Sequence, residues 1–233
     1  MRELWTVHLG LVPYTEALEL QHRVRAARQA DAIPDVLLLL EHPPTYTRGR
    51  RTAPGELTRG EAWYRAQGIE LADVDRGGKV TYHGPGQLTG YPIMRVPDGA
   101  LAFVRTMERA LVAALAFEGI DARNRPDDGL DFTGVWVGDR KIASVGVHIS
   151  RGVSTHGFAV NVDNDLAPFD WVVACGLPDV RMTSIAAATG RAGRLPCFRK
   201  EVAFRFAEAH GLRQRLVTPA ALERALVASP VAG

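Results

Sequence analysis

Short runs of alternating apolar and polar residues recur along this chain and predict several β-strands. Alternation over residues 4–9 predicts the first strand, and an unbroken apolar run over residues 36–41 predicts a fully buried second one. Further strands are predicted over residues 69–75, 79–83, 87–96, 133–137, 140–149 and 154–162. Gly138 and Asp139 separate two of these runs and are typical of a tight hairpin turn.

Apolar residues at helical spacing lie between these strands. Helices are predicted over residues 13–27, 60–67, 98–119, 165–174 and 196–210, with a last short helix capped by Thr218. Prolines in residues 42–51 predict a loop there, because proline fits neither element. The hairpins argue against a purely parallel sheet. The pattern therefore predicts the α+β class, with a central mixed, largely antiparallel sheet flanked by helices.

Composition narrows the class of protein. The 233 residues are 46% hydrophobic and 23% charged, as in an ordinary globular protein, and no linker divides them. A net charge of +2 does not favour nucleic acid as a partner. The longest apolar run is too short for a membrane span, and the first residues lack the apolar core of a secretion signal. We expect a cytoplasmic protein with two free thiols and no membrane association.

A glycine-rich stretch is the first candidate for a functional motif in the sequence. Residues 76–91 read Arg-Gly-Gly-Lys-Val-Thr-Tyr-His-Gly-Pro-Gly-Gln-Leu-Thr-Gly-Tyr. The stretch fits no phosphate-binding loop, because Asp73 stands where a Walker motif needs glycine and Val80 follows Lys79. Its simplest interpretation is a hairpin with a glycine-rich turn. Lysine occurs only at Lys79, Lys141 and Lys200. Since lysine is this rare, each one is less often a solvated surface residue without a role.

Two later segments accompany this stretch. Residues 134–146 read Gly-Val-Trp-Val-Gly-Asp-Arg-Lys-Ile-Ala-Ser-Val-Gly and continue to Thr-His-Gly-Phe-Ala-Val-Asn-Val at 155–162; residues 174–184 read Ala-Cys-Gly-Leu-Pro-Asp-Val-Arg-Met-Thr-Ser. Together the three motifs resemble the signature of the lipoyl(octanoyl) transferases, a branch of the biotin/lipoate protein ligase superfamily. The resemblance spans residues 5–211 and implies a lipoate-ligase-like fold. We predict a single catalytic acyltransferase domain over residues 1–217, followed by a short helix and mobile tail over residues 218–233.

The resemblance implies that Cys175 and Lys141 are the catalytic residues. A lone cysteine is more often inert and buried, and a lysine at a strand end can simply extend to solvent, but both match the family's catalytic positions. A free thiol is only about 3% ionised at pH 7, and a neighbouring ammonium favours the thiolate. Lys141 would first stabilise the Cys175 thiolate and, once the thiol is acylated, act as a general base. We interpret Cys197 as a packing residue of its helix.

The resemblance also implies which residues line an acyl tunnel and hold the thioester carbonyl. These are Arg76, Gly77, Gly78, Lys79, Val80, Thr81, Tyr82, His83, Ser144, Val145, Gly146, Gly157, Phe158 and Ala159. His83 and His156 belong to the motifs and are candidates for positioning substrate, whereas His8, His22, His148 and His210 are interpreted as structural or exposed. No Cys/His spacing indicates zinc, and we expect neither metal nor cofactor.

The implied reaction moves an octanoyl group from acyl carrier protein to a lysine of lipoyl domains, in 2-oxoacid dehydrogenases and the glycine cleavage H protein. It is the first step of endogenous protein lipoylation in the family, and we expect a monomer. The main alternative is an ATP-dependent lipoate–protein ligase, which needs no nucleophilic thiol. A Cys-His hydrolase using Cys175 with His83 or His156 is a second alternative. A non-enzymatic lipoyl-domain, acyl or RNA binder is a third.

Overall fold

The computed structural model describes residues 2–177 and 179–228, with Cys175 described by its main chain alone. The helices are α1 (Tyr14–Gln29), α2 (Glu61–Ala66), α3 (Gly99–Phe117), α4 (Ile185–Thr189), α5 (Leu195–Ala209) and α6 (Pro219–Ala228). The strands are β1 (Glu3–Leu11), β2 (Asp35–Glu41), β3 (Thr45–Arg48), β4 (Glu70–Asp73), β5 (Thr81–His83), β6 (Gln87–Ile93), β7 (Arg123–Asn124), β8 (Gly134–Val137), β9 (Arg140–Ser150), β10 (Val153–Asn161), β11 (Arg181–Met182) and β12 (Arg213–Leu216).

The central sheet is mixed and largely antiparallel, which confirms the predicted class. Its order is β12-β1-β2-β6-β10-β9-β8-β7, and β11 pairs in addition with β9. The strands β12, β1 and β2 run parallel to each other, whereas each pairing from β2 to β7 along this order is antiparallel. A second sheet of order β4-β3-β5 lies apart from it.

Helices cover both faces of the central sheet. Along the fully buried β2, Leu37 and Leu39 pack in one core with α3 and α5, while Leu38 and Leu40 pack in another with α1 and α6. This division follows from the two-residue period of a strand, which sends successive side chains to opposite faces. The last helix belongs to this body, because Leu222 is buried in the second core and the Thr218 hydroxyl accepts a bond from an amide of its first turn.

The structure differs from the predicted loop over residues 42–51 and from the predicted helix over residues 165–174. The segment predicted as a loop contains β3, whose residues pair with β4 and β5 beginning at Thr45. The prolines stand just before β3, where their missing N–H groups cost no ladder bond. The predicted helix over residues 165–174 is instead two 3₁₀ turns, Ala167–Trp171 and Ala174–Gly176. Pro168, which lacks an N–H, stands in the first of them.

The turn between β5 and β6, within the glycine-rich stretch, connects the two sheets. Strand β5 pairs with β3 in the small sheet, whereas β6 pairs with β2 and β10 in the central sheet. The hairpin interpretation of residues 76–91 is therefore wrong, since its two strands do not pair. The stretch lies where the two sheets meet. None of the described helices combines the length and apolar character that a membrane span requires.

Candidate active site

A cavity of about 330 Å³ lies where the glycine-rich stretch meets β9 and β10. Its remaining walls come from the start of α1, from β6, from the first turns of α3 and from the segment before β8. The predicted residues that line it are Arg76, Gly77, Gly78, Lys79, Thr81, His83, Lys141, Ser144, Val145, Gly146, Gly157, Phe158 and Ala159. Two of the three motifs, the glycine-rich stretch and the segment that forms β9 and β10, thus meet around one cavity. The size and lining suit a small, partly apolar ligand.

Val80 and Tyr82 do not belong to this wall. Both are buried in a separate core of the small sheet, together with Tyr46 and Phe169. Because side chains alternate along a strand, Thr81 and His83 face the cavity while Val80 and Tyr82 face away from it. The sequence prediction is corrected for these two positions, which support the small sheet.

Lys141 is buried in the cavity wall. Its side chain is 2% exposed, and its ammonium lies 5.4 Å from the ring centroid of Trp136, a cation–π contact. Its main-chain carbonyl accepts a hydrogen bond from the amide of Thr183 at 2.9 Å. The side chain of Lys141 is therefore held against the Trp136 ring, and its main chain is bonded to the segment that carries the cysteine motif.

The cysteine motif runs beside β9 at Lys141. In the parallel pairing of β11 with β9, Met182 stands opposite Lys141. The main chain of Cys175 lies in the 3₁₀ turn that precedes this pairing. The thiol, and with it the predicted proximity of Cys175 and Lys141, lies outside the described part of the structure. The described backbone places the cysteine motif beside the strand that carries Lys141.

Arg76 fixes the glycine-rich stretch to the small sheet. Its buried guanidinium donates to the carbonyl of Thr47 at 2.8 Å, to the hydroxyl of Thr47 at 2.6 Å and to the carbonyl of Gly77 at 3.1 Å. On the other side, the Gly77 amide donates to the carbonyl of Val147 on β9 at 3.0 Å. The loop is thus tied to both sheets and forms a rigid rim, as a pre-organised binding loop requires.

A network of neutral histidines and tyrosines forms one part of the cavity wall. His156 Nε2–H donates to Asp75 at 2.7 Å, and the Tyr14 hydroxyl lies 3.5 Å from His156 Nδ1. Burial lowers the pKa of His156, and the hydrogen bond from His156 lowers the pKa of Asp75. We infer a neutral imidazole donating to a carboxylate. His156 also has a left-handed φ of 57°, which is unusual for a non-glycine residue in a strand.

A second branch of this network centres on His83 and His42. His83 Nδ1 is 2.9 Å from Gln87 Oε1, and burial holds the pKa of His83 well below its ordinary value. His42 Nδ1 is 2.7 Å from the Val12 carbonyl and its Nε2 is 2.6 Å from the Tyr91 hydroxyl. Burial lowers the pKa of His42 to about 4. These imidazoles are therefore uncharged near pH 7. His83 lines the cavity and gives its wall a polar, uncharged surface, and the His42 ring lies 5.5 Å from the His83 ring.

Several lining residues were not singled out in the sequence. They are Tyr14, Arg51, Tyr91, Ala100, Leu101, Val104, Leu130, Asp131, Thr133 and Val147. Leu101 and Leu130 are 57% and 62% exposed and give the opening an apolar rim. Beside them, Arg51 donates to Asp131 at 2.9 Å. Tyr91 and Val147 lie on the predicted strands β6 and β9. No sequence signal marks the other eight, because they come from elements that reach the cavity only through the tertiary fold.

Cys197 also differs from its prediction. It is exposed, whereas the buried face of α5 is formed by Leu195, Phe198, Val202 and Phe206. Residue 197 lies off this face in a helix of 3.6 residues per turn.

Among the described residues, no group of three or more His, Cys, Asp or Glu side chains is arranged to hold a metal ion.

Comparison with known sequences identifies related proteins. A family model described as the lipoyl protein ligase A/B catalytic domain matches residues 13–207. The octanoyltransferase of Acidothermus cellulolyticus is 46% identical over 191 residues, covering 79% of this chain and 81% of that protein. The octanoyltransferase of Rubrobacter xylanophilus is 42% identical over 205 residues (87% and 91%). The mitochondrial octanoyltransferase LIP2 of Arabidopsis thaliana is 42% identical over 192 residues (80% and 79%).

Solved structures show the same architecture. A crystal structure of lipoate-protein ligase A bound with ATP superposes with a TM-score of 0.77 at 20% identity, covering 96% of this chain and 92% of that one. A bi-partite lipoate protein ligase from Thermoplasma acidophilum gives a TM-score of 0.76 at 20% identity, covering 97% and 91%. At this level of identity the likeness concerns the fold.

Proposed function

Since the chain belongs to the octanoyltransferase branch of the lipoyl protein ligase A/B catalytic domain family and is an acyltransferase, we propose that it transfers an octanoyl group from acyl carrier protein to a specific lysine of lipoyl domains. The acceptors are the lipoyl domains of 2-oxoacid dehydrogenases and the glycine cleavage H protein. The enzyme acts as a monomer and as one catalytic domain. It carries out the first step of endogenous protein lipoylation.

The reaction proceeds in two steps. The Cys175 thiolate attacks the carbonyl carbon of the octanoyl thioester, a new C–S bond forms, and the C–S bond to the carrier breaks. The carrier sulfur takes the proton that the Lys141 ammonium gives up once the Cys175 charge is gone, and the carrier leaves as a thiol. The amine of the target lysine then attacks the enzyme thioester. A C–N bond forms, the C–S bond to Cys175 breaks, and Lys141 accepts the proton that the amine loses. Lys141 thus changes role from ion partner to general base.

The observation that carries this proposal is the position of Lys141. A buried lysine in the wall of a cavity, on the strand that pairs with the cysteine motif, is suited to hold a thiolate and then to take a proton. The cavity offers apolar surface from Val145, Phe158 and Ala159 to the octanoyl chain. Each methylene buried there contributes about 0.8 kcal/mol.

The histidines of the cavity do not favour the Cys-His hydrolase. A general base for Cys175 would need an imidazole nitrogen directed at the thiol and a pKa near neutrality. Both nitrogens of His156 face other groups, Nε2 the Asp75 carboxylate and Nδ1 the Tyr14 hydroxyl, and His83 Nδ1 is bonded to Gln87. Burial lowers the pKa of both imidazoles. They position the wall rather than move protons.

Mass spectrometry of the intact enzyme tests the covalent step. The protein is mixed with octanoyl-carrier without ATP, and apo lipoyl domain is added afterwards. We expect the octanoyl mass on the wild type and on Cys197→Ala, none on Cys175→Ala, and movement of that mass to the acceptor lysine. An octanoylated Cys175→Ala protein would refute the thioester. A reaction that needs free acid and ATP would indicate a ligase, and release of free octanoate would indicate a hydrolase.

A further inference from the structure

Lys79 is the second lysine in the cavity wall, and its side chain is held in place. Its Nζ lies 3.6 Å from Oε1 of Glu56, with side-chain exposures of 23% and 7%. A carboxylate as buried as that of Glu56 is costly to bury without compensation. Lys79 supplies the opposite charge, and the amide of Val80 donates to Glu56 Oε2 at 3.3 Å. The pair is therefore a fixed feature of the wall.

Glu56 is joined to the segment that leads into the cysteine motif. Its main-chain carbonyl accepts a hydrogen bond from the amide of Val173 at 2.8 Å. The next residue, Leu57, forms an antiparallel bridge with Val172. The Glu56 segment thus binds, through its main chain, the two residues that lead into the turn of Cys175. The ion pair and the turn are parts of one local structure.

The side chain of Lys79 lies directly against Gly176, the residue that follows Cys175. Gly176 has a left-handed φ of 69°, and a Cβ at this position would clash with Cδ and Nζ of Lys79 and lie 2.8 Å from its Cε. The absence of a side chain at residue 176 is what lets the ammonium approach the main chain of the turn.

We propose that Lys79, held by Glu56, is a positioning residue that places a fixed positive charge at the turn of Cys175 and favours the thiolate there. The inference rests on the proposed role of Cys175 as the nucleophile. It divides the work between two lysines. Lys141 gives up a proton when the acyl-enzyme forms and takes one in the second step, whereas Lys79 is engaged by Glu56 throughout. The turn therefore keeps one cation while Lys141 is neutral, from the formation of the acyl-enzyme until the attacking amine gives up its proton.

The test measures thiol reactivity and needs no acyl donor. In a Cys197→Ser background, the rate of Cys175 alkylation by iodoacetamide is followed against pH in the parent, Lys79→Met, Lys79→Arg and Lys200→Met. Lys200 is an exposed lysine of α5 and serves as the matched control. We expect the midpoint for Lys79→Met to rise by about one pH unit, with about tenfold slower alkylation below that midpoint. Lys200→Met should leave the midpoint unchanged. Lys79→Arg keeps the positive charge, so its midpoint should stay close to that of the parent.

A second variant displaces the ammonium without removing it. Gly176→Ala introduces the clashing Cβ, and we expect the midpoint to rise as in Lys79→Met. If Lys79→Met fails to fold, Gly176→Ala still tests whether Lys79 lowers the midpoint of Cys175 alkylation. Thermal melting shows whether each variant is folded. An unchanged midpoint in a folded Lys79→Met or Gly176→Ala protein overturns the inference. A shifted midpoint in an enzyme that never forms an octanoyl adduct supports the inference and refutes the proposed function, so the two failures are distinguishable.

Discussion

Gly134 leaves the space that the stem of Lys141 occupies: a Cβ on Gly134 would lie 2.7 Å from Lys141 Cε. The amide of Gly134 donates to Oε1 of Glu108 at 2.7 Å, and Glu108 is fully buried. Arg105 donates to the other oxygen of this carboxylate at 2.7 Å. A buried carboxylate on α3 therefore fixes the start of β8, and the glycine there sets the room available to the lysine.

Gly134→Ala should impair transfer and also lower stability, because the new Cβ would clash with the main-chain carbonyl of Ala143 on β9 as well as approach Lys141. The new methyl group would push Lys141 from its position, and a displacement of about 1 Å of a reacting group can cost on the order of 100-fold in rate. We expect at least about a tenfold loss of octanoyl transfer, measured as kcat/KM. Gly138→Ala is the matched control, because Gly138 also has positive φ, 57° against 135°, but no atom within 4 Å of its Cβ position. Equal activities of the two variants would contradict a role for Gly134 in placing Lys141.

Lys141→Arg separates the two chemical steps. Arginine keeps the positive charge but cannot act as a base near neutral pH. We expect the octanoyl adduct to form on the enzyme, while its transfer to the lipoyl domain falls by roughly 10²- to 10⁴-fold, the usual contribution of a general base. Single-turnover kinetics with mass detection measure both steps. Lys200→Arg should behave as wild type. If Lys141→Arg transferred its acyl group at the normal rate, another residue would have to be the base.

Val145→Phe should change the preferred chain length of the donor. Val145 lines the cavity, and the larger ring takes up space that the end of an octanoyl chain would fill. Each methylene forced out of apolar contact costs about 0.8 kcal/mol, or about fourfold in affinity. We expect the ratio of kcat/KM for octanoyl over hexanoyl donors to fall by about an order of magnitude. Val137→Phe, a partly buried β8 position outside the cavity lining, should leave that ratio unchanged.

Stability should fall as the pH drops below 6.5, in part because of His42. Burial lowers the pKa of His42 from 6.5 to about 4, so between these values the unfolded chain binds a proton that the folded protein excludes. The stabilising contribution is present above the unfolded pKa and is lost as pH falls toward the folded pKa. Over pH 7 to 5 the loss from this residue is about 2 kcal/mol.

Urea unfolding of wild type and His42→Gln at pH 7 and pH 5 measures this contribution. The variant loses the bonds to Val12 and Tyr91, so it is less stable at pH 7 but loses less stability on acidification. His22→Gln, at an exposed position of α1, should retain most of the wild-type dependence. A His42→Gln protein with the full wild-type loss would show that His42 is protonated in the folded state.

Strand and helix patterns were readable wherever one physical signal dominated. Strands of the central sheet were predicted from such signals: β1 from its period-two alternation, β2 from its apolar run, and β8 and β9 from the hairpin at Gly138-Asp139. Local signals failed where pairing with distant strands decided the outcome. Strand β3 exists because β4 and β5 lie on either side of it, and nothing within residues 42–51 indicates those partners.

The sequence by itself determined the family, the α+β class and the three motifs, because residue type and short-range spacing carry that information. Only the tertiary structure decided which motif residues face the cavity, as the opposite faces of Val80 and Thr81 illustrate. It also brought α3 and the segment before β8 to the opening, paired Lys79 with Glu56 and placed that pair against Gly176. These contacts join residues far apart in the chain, and their geometry depends on how two sheets pack, which no local pattern encodes.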